Sequence, residues 1–257
     1  MRFNQPPISQ IALLGVCSGL GQKQEGLEAG PGVRRESGIS AILSKSDAVF
    51  FDLGHLKPEK HEDIKGWNSN ERVRAKANQS LQAAGVLCSL GGDHSISIGT
   101  VQATMMAYPN ARVIWIDAYG GANTPQTSLS GNLHGMPIAE LLGLFKTPIG
   151  GPLLSPPRLL IVGVRDLNTA EKIFFDKLNI DFISSEEINF LPSVALREVK
   201  SWLKKEPEVP VHLSFDVDVL DPSYAPAESR HELNKTIHCA KSTISSTANL
   251  KNREYEL

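Results

Sequence analysis

Short apolar runs alternate with segments of helical spacing along most of this chain. Ile11–Val16 (IALLGV), Ala48–Leu53 (AVFFDL), Val86–Leu90 (VLCSL), Val113–Asp117 (VIWID), Leu159–Val164 (LLIVGV) and Val211–Phe215 (VHLSF) read as strands, with Ile180–Ile183 a weaker one. Runs this short, continuously apolar and bounded by turn residues fit strands buried in a parallel sheet. Between them, Asn70–Ala84 places Val73, Ala77, Leu81 and Ala84 on one helical face, with Asn70 as cap and Gly85 at the stop. Gly30-Pro31 leads into a helix, Ile96–Met106 predicts a short one, and Val194–Leu203 carries a helical pattern that ends before Pro207. A further helix starts in the Ser-Ser-Glu-Glu stretch after Ile183. Strands alternating with helices imply an α/β domain with a mostly parallel sheet. From Ser229 to Leu257 the chain is rich in Lys, Ser, Thr, Asn and Glu, with no strand-like run and at most one weak helix. The expected organisation is one α/β domain over residues 1–228 and a polar tail over 229–257.

Composition narrows the function classes. At 257 residues the chain can bury a substantial core. Lys and Arg number 26 against 28 Asp and Glu, which makes no case for nucleic acid or an anionic membrane as partner. No apolar run approaches the roughly 18 residues that suggest a membrane span. The three cysteines, Cys17, Cys88 and Cys239, are scattered and form no metal knuckle or disulfide framework. The glycines from Gly19 to Gly30 match neither phosphate-binding spacing, so nucleotide binding is not expected. A cytoplasmic location is expected. The alternative is mitochondrial, since no acidic residue occurs before Glu25.

Candidate chemistry lies at the strand ends. In a parallel sheet all carboxyl ends share one edge, where open α/β folds bind ligands. Three of these strands run into His94, Asp117, and Asp216 with Asp218. A single carboxylate at such a place is often a helix cap. One imidazole with three carboxylates from three strand ends fits a mixed nitrogen and oxygen metal site, suited to manganese or another borderline divalent ion. If Asp216 and Asp218 both lie in the strand, their side chains point the same way.

Ser89–Ser95 (SLGGDHS), Ser130–Gly135 (SGNLHG) with Asn123–Pro125, Gly163–Asp166 (GVRD) and Ser214–Pro222 (SFDVDVLDP) resemble the signature segments of arginase, and Gly21–Pro31 resembles that family's opening loop. The resemblance runs from about Ile11 to Ala227. It implies a three-layer αβα fold and the ureohydrolase reaction, in which a dinuclear manganese centre hydrolyses L-arginine to L-ornithine and urea. By position, His94, Asp117 and Asp216 match ligands of one ion, and Asp117, Asp216 and Asp218 match ligands of the other. His134 matches the family's proton-transfer histidine. Asn123 and Ser130 match residues that hold the substrate α-carboxylate, and Glu171 matches one near its α-amino group. The resemblance also implies a small-molecule substrate and a homo-oligomer.

This chain departs from the family pattern at defined positions. Where the family reads D-x-H-x-D, this chain has Tyr119 for the histidine and Gly121 for the second aspartate. A neutral phenol is a poor ligand and glycine offers none. Asn168 stands where the family has an aspartate facing the α-amino group. The chain also stops before the family's final strands and its guanidinium-binding glutamate, which predicts an unpaired sheet edge. Two expectations follow: an impaired arginase-like hydrolase with reduced or single manganese occupancy, or a catalytically degenerate relative that serves as a binding or assembly partner or is a non-functional variant product.

Overall fold

The computed structural model describes residues 10–57, 67–221, 223 and 236–241. Its strands are β1 (Gln10–Val16), β2 (Val49–Leu56), β3 (Val86–Leu90), β4 (Arg112–Ile116), β5 (Leu159–Val164), β6 (Asp181–Ser184), β7 (Val211–Asp216) and β8 (Thr236–Lys241). The helices are α1 (Gly30–Glu36), α2 (Ile39–Leu43), α3 (Trp67–Ala84), α4 (Ser97–Ala107), α5 (Pro137–Leu141), α6 (Thr169–Leu178), α7 (Ser185–Phe190) and α8 (Pro192–Lys205). The strands form one sheet in the order β2-β1-β3-β8-β7-β4-β5-β6, parallel except for β8.

Strand alternation explains the three layers. In β4, Val113 and Trp115 join a core with α4, α5 and α6, whereas Ile114 packs on the other face against Ala195 and Trp202 of α8. In β1, Ala12, Leu14 and Val16 meet Val73, Ala77 and Leu81 of α3, while Leu13 faces α2. β1 and β4 thus bury both faces, which is why their sequences read as continuous apolar runs.

The reading of residues 229–257 needs correction. Thr236–Lys241 is a central strand, antiparallel to both β3 and β7, and it joins halves of the sheet that otherwise share no ladder. The expected open edge is therefore filled at this point. The segment TIHCAK is short, and a polar sequence surrounds it. What makes it a strand is the pair of facing backbones with unpaired N–H and C=O groups, a demand set by tertiary structure. Residues 224–235, with Glu228, Glu232 and Asn234, and residues 242–257 lie outside the described residues, as does 58–66 with His61.

Candidate metal centre and ligand cavity

Three strand ends meet on one floor. After β3, the Gly91-Gly92 turn runs against the backbone of Ser18 so closely that a Cβ on Gly92 would collide with the Ser18 carbonyl. Asp93 then caps the following turn by accepting from the Ser95 N–H at 2.8 Å. This places His94 inward, 2 % exposed. Asp117 follows β4 and Asp216 ends β7, so the two carboxylates reach the imidazole from the far side of β8. His94 Nδ1 lies 2.8 Å from Asp117 Oδ2 and 3.0 Å from Asp216 Oδ2, and the three ligand atoms lie within 4.8 Å of one another.

The surrounding residues fix this arrangement. His94 Nε2 meets Ser214 Oγ at 2.8 Å, which leaves Nδ1 as the atom aimed at the carboxylates. Trp115 stacks on His94 with centroids 4.0 Å apart, and its Nε1–H donates to Asp117 Oδ2 at 3.0 Å. Burial alone would lower the His94 pKa, but hydrogen bonds to Asp117 and Asp216 outweigh it and raise it to about 10. As described, His94 is an imidazolium whose charge compensates the two carboxylates. A divalent cation at the same donors would compensate them in its place.

Asp218 stands apart from this set. β7 stops at Asp216, and Val217–Val219 form a 3-10 turn in which the Asp216 side chain accepts from the Asp218 N–H at 3.1 Å. The two carboxylates are brought near each other by this turn, and not by strand alternation as the spacing suggested. Asp218 Oδ1 accepts from the Ala118 N–H at 3.1 Å. Burial, then repulsion from Asp117 and Asp216, push its pKa up to about 9, so it holds a proton when no cation is near.

The loop after β4 carries both substituted positions. Tyr119 N–H donates to Asp117 Oδ1 at 2.8 Å, and the ring is 46 % exposed on the cavity wall. Burial and the Asp218 carboxylate raise its pKa, so the phenol stays neutral. Gly121 has φ +59°, and a Cβ there would face Ile138, Trp115 and Pro137 at 3.5–3.9 Å. Its carbonyl accepts from the Ile138 N–H at 2.9 Å, which ties the loop to α5.

Above the floor opens a cavity of about 750 Å³. His94, Asp117, Tyr119, Gly121, Asn123, Ser130, His134, Asn168, Glu171, Asp216 and Asp218 all line it, so every candidate position singled out in the sequence reaches one space. The His134 N–H donates to the Gly21 carbonyl at 3.1 Å, and the Gly21 N–H donates to Asp93 Oδ2 at 2.9 Å. Burial lowers the His134 pKa, which leaves its imidazole neutral. Glu171 is 4 % exposed and accepts from the Ala122 and Asn168 N–H groups at 3.1 and 3.2 Å. Burial raises its pKa.

Four contributors escaped the sequence reading: Asp93, Trp115, Ser214 and Lys23. Trp115 and Ser214 precede Asp117 and Asp216 by two residues on the same strands, so strand periodicity could have found them. Asp93 carries the Asp-x-Ser spacing of a cap. Lys23 lines the cavity from a loop and had no local signal.

The family model for the arginase family matches residues 9–233. The chain is 36% identical to the arginase of Bacillus caldovelox over 233 residues, covering 84% of this chain and 78% of that one. It is 33% identical to human arginase-1 over 236 residues, covering 84% of this chain and 73% of that one. The solved structure of the Bacillus caldovelox arginase superposes with a TM-score of 0.78 at 34% identity, over 85% of this chain and 79% of that one.

Proposed function

The chain belongs to the arginase family, and from that premise we propose that it is an arginase-like ureohydrolase with impaired metal loading and activity. The observation that carries this reading is the donor set on the cavity floor. His94, Asp117 and Asp216 fit one divalent cation: they are buried, close together and anionic overall, and imidazole with carboxylates suits manganese. A second cation does not fit as well. Asp218 lies outside that compact set, Tyr119 presents a neutral phenol, and Gly121 has no side chain.

A bound divalent ion would supply Lewis-acid activation of water for attack on a guanidinium carbon. The chain's own residues do the rest. The cavity above the donor set would hold and orient L-arginine. His134, neutral because it is buried, can take up a proton and deliver it to the departing amino nitrogen, so that urea and L-ornithine leave. With one donor set incomplete, positioning and proton transfer persist while activation of water is weakened.

Elemental analysis of purified protein, run beside urea release from L-arginine with added manganese, tests this. Occupancy of one manganese or fewer and weak turnover are expected. Two ions per chain with robust turnover would refute the impairment. Tyr119→His should raise occupancy. Gly121→Asp should do so only in combination, because the backbone at φ +59° directs a new side chain toward Trp115 and Ile138.

A further inference from the structure

Two cysteines far apart in sequence meet in the middle of the sheet. The antiparallel register of β3 and β8 sets Cys88 directly opposite Cys239. Residues so paired have Cα atoms about 4.5–5.5 Å apart and share one face of the sheet. A disulfide bridges Cα separations of about 4.4–6.8 Å, so the backbones already stand at the right distance. Cys17 does not compete for either partner. Leu13 is the β1 residue beside Cys88, and Cys17 comes four positions further along, about 13 Å away in strand length.

The same register shows how an oxidant reaches this pair. One row of paired residues crosses the sheet through Leu13, Cys88, Cys239, Leu213 and Ile114. At one end, Cys88 is buried with Leu13 and Leu90 against α2. At the other, Ile114 packs against α8. Between them Leu213, the β7 neighbour of Cys239, is 36 % exposed. Solvent therefore touches this row beside β8, although the row lies in the centre of the sheet.

We propose that Cys88 and Cys239 form a disulfide when the folded protein meets a disulfide oxidant such as oxidised glutathione, and that the bond fastens β8 to β3. One cysteine thiolate attacks the glutathione disulfide and releases one reduced glutathione. The second thiolate then displaces the other, forming the Sγ–Sγ bond. The two thiol protons end on the two released glutathione thiols, and the oxidant takes up the electron pair. β8 is the strand that joins β3, which leads into His94, to β7, which ends in Asp216. A bond at this point holds the two halves of the sheet together whether or not the chain hydrolyses L-arginine.

Folded full-length protein incubated with oxidised glutathione, then alkylated and digested without reduction, tests this by mass spectrometry. A cross-linked peptide pair joining Cys88 to Cys239 is expected, with Cys17 alkylated. Thiols titrated in denaturant should fall from three to one, two being consumed. The bond closes a loop of about 150 residues, so the oxidised wild-type protein should melt about 5–10 °C above the reduced one. Cys239→Ser should abolish both the cross-link and the rise. If that variant does not fold, the wild-type protein alone decides, since its two redox forms share one sequence. Three thiols remaining after oxidation would overturn the proposal, as would a stable glutathione adduct, a cross-link through Cys17, a disulfide-linked dimer, or a link that forms only in denaturant. A cross-link without a rise in melting temperature would refute the fastening of β8.

Discussion

Replacing the buried Glu140 with Gln should stabilise the protein in alkaline but not in acidic solution. Glu140 lies on α5, directly after the Ile138 and Ala139 N–H groups that hold the Gly121 carbonyl, and is 2 % exposed. Its Oε1 accepts from Gln102 Nε2 at 3.1 Å and from Thr147 Oγ1 at 3.3 Å. Burial raises its pKa from 4.5 to about 7, against the lowering effect of those hydrogen bonds and the Arg74 charge. A raised carboxyl pKa means that the folded state keeps a proton the unfolded chain has released. Stability from this group is therefore whole below about pH 4.5, falls through the interval, and is lost above about pH 7. At about 1.4 kcal/mol per pH unit, that interval amounts to about 3 kcal/mol. Gln keeps an oxygen for the same two donors and cannot ionise. Urea unfolding of both proteins at pH 5 and pH 8 should show Glu140→Gln gaining about 1–3 kcal/mol at pH 8 relative to its difference at pH 5. An equal difference at both pH values would refute the argument, because the cost would then have nothing to do with ionisation.

Three further outcomes are expected. Ser214→Ala removes the partner of His94 Nε2 and should weaken manganese affinity by about 10–100-fold with the fold intact, as measured by competition with a chelator. Gly21→Ala places a Cβ against Asp93 and within 2.6 Å of the Ser95 Cβ, so the loop that anchors the His134 N–H must shift. Calorimetry should then show weaker ligand binding, and thermal melting a loss of about 1–3 kcal/mol. Ile237→Pro removes an N–H from a strand that is paired on both sides and should cost about 3 kcal/mol or more, read as lost soluble protein or a lowered melting temperature.

Much of this protein was legible in one dimension. Seven strands announce themselves as apolar runs; burial on both faces explains this for the central ones, while β2 keeps its apolar run although it is largely exposed, and β3 and β5 fall at the boundaries the pattern marked. α3 was visible from one helical face, and the observed helix only begins earlier, at Trp67. The candidate positions were legible because parallel strands deliver their ends to one edge; that His94, Asp117 and Asp216 are neighbours follows from the strand order β3-β8-β7-β4, which only the fold sets. Tertiary structure alone decided what depends on partners distant in sequence. The strand character of Thr236–Lys241 comes from the two backbones it joins. The placement of Asp218 comes from a 3-10 turn that no spacing rule announced. The direction of a side chain at Gly121 follows from a left-handed φ held by α5. At Asn168 the residue type recorded a lost charge, but only the helix cap and Asn123 show where its side chain is engaged, Oδ1 accepting from two backbone N–H groups and Nδ2 donating to Asn123. Local sequence specifies which groups are present; the fold sets which of their lone pairs and protons are still free to act.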